Sequence, residues 1–255
     1  MKILTYNING IRAALKKNLL GFLEEENPDI VCLQETKAQP DQIDDSLFEH
    51  LGYSCYWKSA EKKGYSGVGI LTKRTPKELI YECKHSLFDS EGRILQMKFD
   101  NFTVLSAYFP SGSSGDFRQQ VKYDFLDFFM EYQTALKKDH PNLIVCGDFN
   151  ICHQSIDIHN PIGNKNSSGF LPEERAWMDK YFSSGNIDSF RHFHPDEQNH
   201  YTWWSYRANA RNNNKGWRID YISVSDSLDA KIKGAKILSK AMHSDHCPSY
   251  IELDM

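Results

Sequence analysis

Five times along this chain a short apolar run of buried-strand length abuts a carboxylate, an amide or an imidazole. The run at 3–6 leads into Asn7-Ile8-Asn9-Gly10, and the run at 30–33 into Gln34-Glu35-Thr36-Lys37. The run at 143–146 leads into Gly147-Asp148-Phe149-Asn150. Asp220 stands in Trp217-Arg218-Ile219-Asp220-Tyr221, and Ser244-Asp245-His246-Cys247-Pro248 precedes the run at 249–253. Sheets built from such segments bury the runs and leave polar tips at strand ends. Together the tips supply hard oxygen ligands, a proton acceptor, and an imidazole with a carboxylate to orient it. That is the set needed for Mg²⁺-assisted phosphodiester cleavage. Any one motif alone would be a weak match.

Apolar runs predict strands at 3–6, 30–33, 68–72, 94–99, 103–108, 143–146, 219–224 and 249–253. Helical spacing appears at 14–26, where Leu15, Leu19, Phe22 and Leu23 share a face, and again at 118–138 with Val121, Phe125 and Phe129. A third helix is expected after Leu171, with Pro172 in its first turn and Glu173 and Glu174 favourable to the dipole. Strands mixed with helices, and no linker-like run, predict one α/β domain over 1–255. The Gly-, Ser- and Asn-rich stretches 111–115 and 160–169 each follow a motif-bearing strand and read as loops over a site. Hydrophobic content of 40% excludes a disordered chain, and no apolar stretch is long enough to span a bilayer. Residues 1–7 start like a leader but are broken at once by Asn7, Asn9 and Arg12. Six cysteines without CxxC spacing predict reduced, mostly buried thiols in a cytoplasmic protein, with neither a disulfide framework nor a zinc site. A net charge of −4 argues against a general polyanion binder but permits a local basic surface.

The motifs, in this order, resemble the exonuclease III family of apurinic/apyrimidinic (AP) endonucleases, within the wider endonuclease/exonuclease/phosphatase superfamily. The likeness runs from Lys2 to the last strand. It implies a four-layer αββα sandwich, two mixed β-sheets face to face with helices outside, whose polar tips meet at one end. Glu35 alone would be a solvated strand end; the resemblance makes it the principal Mg²⁺ ligand, with Mn²⁺ able to substitute. Asn7 and Asn9 share a face by two-residue alternation and would by themselves be turn formers. The likeness has Asn7 position metal or phosphate and Asn9 contact DNA, although some relatives carry Asp at the place of Asn9. Asp148 and Asn150 would pass for an Asx turn. In the family pattern Asp148 deprotonates or positions the attacking water and neighbours the metal, while Asn150 holds a phosphate oxygen or the metal. His246 is paired by the likeness with Asp220, which fixes its tautomer and supports positive charge near phosphate and metal. Asp245 is then a candidate metal or water ligand. Tyr108, by default a core aromatic, directs its hydroxyl at the scissile phosphate in the family. The loop after it departs from the pattern, since several relatives place Asn where Ser111 stands. The pair His192 and His194 lacks nearby acidic or Cys partners and carries no metal expectation.

The stretch 200–219 carries Arg207, Arg211, Lys215 and Arg218 with no acid, interleaved with Tyr201, Trp203, Trp204, Tyr206 and Trp217. Such interleaving suits phosphate pairing plus stacking or a base-sized pocket. It also fits a plain hairpin with core tryptophans, and one of the two adjacent tryptophans is expected in the core. The resemblance implies that Trp203 and Trp217 wall a pocket for a flipped-out baseless sugar, and that Arg207 reaches the duplex. It therefore implies incision 5′ to abasic sites in double-stranded DNA, with 3′-end repair and 3′→5′ exonuclease action as secondary activities. Blocked 3′ ends would be further substrates, and a monomer without an obligate protein partner is expected. The alternatives are a predominantly 3′→5′ exodeoxyribonuclease and another phosphodiesterase of the superfamily.

Overall fold

A run such as Ile30-Val31-Cys32-Leu33 has no polar face, so it must be covered on both sides. The computed structural model, which describes residues 1–255, does this with two six-stranded sheets stacked face to face. The first runs, edge to edge, β11 (Ile232–Ile237), β12 (Ser249–Leu253), β1 (Lys2–Asn7), β2 (Ile30–Gln34), β4 (Val68–Thr72) and β3 (Ser54–Lys58). The second runs β5 (Glu78–Ile80), β6 (Ile94–Lys98), β7 (Thr103–Tyr108), β8 (Leu143–Asp148), β10 (Asp220–Ser225) and β9 (Asn186–Asp188). Both sheets are mixed: β1–β2 and β7–β8 are parallel, and β1–β12 and β8–β10 antiparallel.

Alternation along the strands sorts the apolar residues into three layers. Ile3, Ile30, Cys32, Val104, Ile144, Cys146 and Ile222 meet between the sheets. Leu105, Val145 and Tyr221 pack outward on Phe125 and Phe129 of the helix Asp116–Asp139 and on Trp177 and Tyr181 of the helix Pro172–Ser183. Leu4, Tyr6, Val31 and Leu33 pack outward on Leu19 and Leu23. This is the four-layer αββα sandwich. No helix is long and apolar enough to cross a membrane.

Register delivers the polar tips to one place. On β8, Asp148 stands level with Tyr108 of β7 on one side and Asp220 of β10 on the other. Asp148 shares its parity with Ile144 and Cys146, so its carboxyl faces the space between the sheets. In the first sheet Asn7 stands level with Gln34, one residue before Glu35. The inter-sheet layer turns polar toward this end: Thr5 Oγ1 donates to Gln34 Oε1 (3.2 Å), and Gln34 Nε2 to Ser106 Oγ (3.1 Å). Gly147 permits the close approach of β7, because a Cβ there would lie 2.0 Å from the Ala107 carbonyl oxygen.

Two expectations change. The helix at 14–26 is two, Ile11–Leu15 and Leu19–Glu26, because Asn18 adopts a left-handed backbone (φ 67°) between them. β3, β5, β9 and β11, unread in the sequence, form the four sheet edges.

Candidate active site

The strand tips of the two sheets are joined by one amide. Asn7 Nδ2 donates to Glu35 Oε1 (2.8 Å) and to Asp148 Oδ2 (2.9 Å), so a residue of the first sheet reaches a carboxylate of the second. Glu35, Asn9 and Asn150 all have left-handed backbones (φ 51°, 44° and 53°), a conformation that costs a residue with a Cβ about 1–2 kcal/mol. Glu35 has no local amide to ease it, so the surrounding structure holds it there. Asn150 folds back on Asp148: its backbone N–H donates to Oδ1 (2.8 Å) and its Nδ2 to Oδ2 (3.2 Å) and to the Phe109 carbonyl (3.0 Å).

Asp220 Oδ2 lies 2.9 Å from His246 Nδ1, and His246 Nε2 lies 4.0 Å from Asp148 Oδ2. Asp245 is held by Asn9 Nδ2 (2.8 Å), Ser244 Oγ (3.1 Å) and Trp203 Nε1 (3.1 Å). Lys37 Nζ pairs with Glu35 Oε2 at 2.6 Å and donates to Asn9 Oδ1. Tyr108 is buried with its ring under the Arg93 guanidinium, 4.7 Å from the centroid.

Burial and the neighbouring Asp220 push the Asp148 carboxyl up to about 8. Burial works against the charged form of His246, but Asp220 and Asp148 carry its pKa up to about 10, so it is an imidazolium at neutral pH. Burial likewise opposes ionisation of Glu35, yet Lys37 and Asn7 hold it below the usual carboxylate range. Burial and Glu35 keep the Tyr108 hydroxyl protonated and thus a donor.

The ligating atoms of Glu35, Asp148 and His246 lie within 4.8 Å of one another. Two carboxylates flanked by amides suit a hard cation, so this donor set fits a divalent ion that prefers oxygen. In this arrangement Asn7 and Asn150 turn amide nitrogens toward the carboxylates, and Asp245 stands outside the three-ligand group.

Beside His246, Trp203 and Trp217 pair backbone to backbone (N–H to carbonyl 2.9 Å both ways) with their rings edge to face, 6.0 Å between centroids. Both are half-buried over Phe170, Ile158 and Ile219, whereas Trp204 is the core tryptophan. Arg207 is exposed on the same loop, next to Tyr206. The basic stretch is smaller than its sequence suggests. Arg218 is buried and bonded to Asp157 and Asp188, and Arg211 lies over the Trp204 ring and donates to the carbonyls of Ser244 and Ala241. A guanidinium so occupied is not free for phosphate, which leaves Arg207 and Lys215 exposed. The histidine pair also differs, since both members have acidic neighbours: His194 meets Glu197 (2.8 Å) and His192 meets Asp229 (3.7 Å). The two contacts are separate and assemble no three-ligand group.

The sequence reading assigned Lys37, Arg93 and Lys122 no part in the site, and Glu174 a part in the helix dipole alone. Lys122 had a legible signal, a lysine on the helix face that also carries Phe125 and Phe129.

Residues 4–246 match the model of the Endonuclease/Exonuclease/phosphatase family, and the chain belongs to that family. It is 43% identical over 249 residues to the exodeoxyribonuclease of Bacillus subtilis, covering 97% of each chain. It is 40% identical over 250 residues to the DNA repair nuclease APEX1 of Danio rerio, covering 97% of this chain and 80% of that one. The structure of an AP endonuclease from Archaeoglobus fulgidus matches over 100% of both chains, with a TM-score of 0.91 at 29% identity. The resemblance carried by the five motifs therefore holds: this is a nuclease of the exodeoxyribonuclease and AP endonuclease group, a hydrolase of DNA repair.

Proposed function

We propose that the protein hydrolyses the phosphodiester on the 5′ side of an abasic site in double-stranded DNA, leaving a 3′-hydroxyl and a 5′-deoxyribose phosphate. Clearing of blocked 3′ ends and 3′→5′ exonuclease action are its lesser activities. The observation that carries this reading is the half-buried Trp203–Trp217 pair beside His246. Aromatic walls so close to the hydrolytic residues accept a sugar that lacks its base, and flipping costs least where nothing pairs or stacks. The AP endonuclease and DNA repair nuclease relatives support that substrate class.

Glu35 and Asp148, with Asn7, Asn150 and Asp245 around them, would hold a divalent cation, Mg²⁺ with Mn²⁺ as substitute, which would supply charge neutralisation and activate an oxygen; His246, carrying its proton, would stand beside it without ligating. Asp148 orients the attacking water and takes its proton, and burial beside Asp220 makes it a stronger base than a solvated carboxylate. His246, oriented by Asp220, turns Nε2 toward the phosphate, where its positive charge meets the growing negative charge. The Tyr108 hydroxyl donates to the same phosphate, and the Asn150 amide holds the Asp148 carboxylate beside it. Asn9 and Arg207 contact the flanking DNA. The whole of 1–255 acts as one catalytic domain and as a monomer without an obligate protein partner. Its six free cysteines fit the reducing cytoplasm.

A second reading, predominantly 3′→5′ exodeoxyribonuclease, is favoured by the name of the Bacillus subtilis relative. Which bond is cut is read from the ends. After nicking of a duplex with one abasic site, a DNA polymerase is expected to extend the upstream strand, because cutting 5′ to the lesion leaves a free 3′-hydroxyl. A nick that cannot be extended would refute the reading.

A further inference from the structure

Lys122 and Glu174 form an ion pair with no solvent exposure on either side chain, Nζ to Oε1 2.5 Å, between the helices Asp116–Asp139 and Pro172–Ser183. Burying two charges is expensive, and apolar side chains of similar volume often serve stability as well or better. What the pair holds gives it another task. Lys122 Nζ donates to the Asn150 carbonyl (2.8 Å). Glu174 Oε2 accepts from the Gly169 and Leu171 N–H groups (2.6 and 2.9 Å), and Gln119 Nε2 donates to its Oε1 (3.0 Å).

Both clamped backbones are in left-handed conformations, Asn150 at φ 53° and Gly169 at φ 93°. Gly169 lies so close to its neighbours that a Cβ there would stand 3.0 Å from the Asn150 carbonyl oxygen and 3.0 Å from the Trp217 ring. The Gly169 carbonyl in turn accepts from the Cys152 N–H (2.7 Å). The turn that carries Asp148 and Asn150, the loop 160–169 and Trp217 therefore meet at one point, and the buried pair fastens two of the three.

We infer that Lys122 and Glu174 are a positioning pair that locks the Asp148–Asn150 turn to the loop beneath Trp217, setting the spacing between hydrolytic residues and aromatic pocket. This rests on the reading of those residues as the site of DNA cleavage. With no exposed surface, neither side chain can reach bound DNA; they act through Asn150 and Gly169. Releasing the Asn150 carbonyl lets its amide leave Asp148, while the exposed DNA-contacting residues stay where they are. The chemical step slows and binding does not.

The test is the double variant Lys122→Met/Glu174→Leu, which replaces the pair with apolar side chains. A cooperative melt well above the assay temperature establishes that it is folded. The expected result is a kcat lowered by about tenfold or more at a KM within about twofold, since small misplacements of reacting groups carry such losses. Wild-type kcat and KM in the folded double variant would make the pair purely structural and overturn the inference. Should the double variant not fold, Glu174→Gln takes its place: lowered kcat at unchanged KM supports the inference, and unchanged kcat overturns it. Rates are taken on whichever DNA the wild-type protein cleaves, abasic duplex or plain 3′ end. The pair can then fail while the abasic-site reading stands, and the reverse.

Discussion

Asp148 concentrates the contacts of the candidate site in one side chain. It accepts from Asn7 and Asn150, lies 4.0 Å from His246, and stands level with both Tyr108 and Asp220. Replacing Asp148 with Asn keeps its shape and removes the proton acceptor. Turnover on abasic duplex is expected to fall by about 10²–10⁴-fold while DNA affinity, measured by equilibrium binding, stays near wild type. Near-normal incision by that variant would remove Asp148 from the role of base. Residues of this kind were legible in the sequence because each tips an apolar run, where a polar group has no place in a core. The site roles of Arg93 and Glu174 were not legible. The partners that matter, the Tyr108 ring for Arg93 and the Lys122 ammonium for Glu174, come from other segments that only the folded chain brings together.

At the scale of elements, the sequence reading succeeded for the interior strands of both sheets and failed at the edges. β2, β4, β7, β8 and β10 are buried at every position, so apolar residues recur through each of them. The four missed strands are the sheet edges, and segments such as Ile232–Ile237 alternate with lysines that face solvent. Charged clusters pin these margins: Asp157, on the loop after β8, binds Arg218 just before β10 and Arg191 just after β9. Burial opposes ionisation of Asp157, but Arg218 and Arg191 override it and hold the carboxyl below its ordinary value. A carboxyl depressed in the folded state adds stability that is present above its unfolded pKa of about 3.9 and lost as pH falls through the folded value. Asp157→Asn is expected to cost about 1–3 kcal/mol at neutral pH, because it leaves the buried Arg218 with Asp188 as its remaining carboxylate, and to flatten the acid limb of the stability curve. Denaturant melts from pH 7 down to pH 3 would check both. An acid limb as steep as wild type would show that Asp157 does not contribute to it.

Across the whole molecule, the candidate cation ligands come from both sheets, Glu35 following β2 of one, Asp148 ending β8 of the other. A cation held there would tie the layers together, so Mg²⁺ is expected to raise the melting temperature with the logarithm of its concentration once that exceeds the Kd. Glu35→Gln should abolish most of that shift, and a shift of full size in the variant would place the cation elsewhere. The layered fold and the meeting of the tips at one end followed from the motifs and the family likeness. The reduced basic surface did not, because burial of Arg218 depends on two aspartates that come together only in the folded chain. The central claim is that this constellation cuts DNA at a baseless sugar with a divalent cation. Its most direct test sets a duplex carrying one stable abasic analogue beside an undamaged duplex, each incubated with the pure protein in Mg²⁺ and in EDTA. Nicking at the lesion alone, and only with Mg²⁺, is the predicted result; cleavage of neither duplex, or equal degradation of both from their 3′ ends, would contradict it.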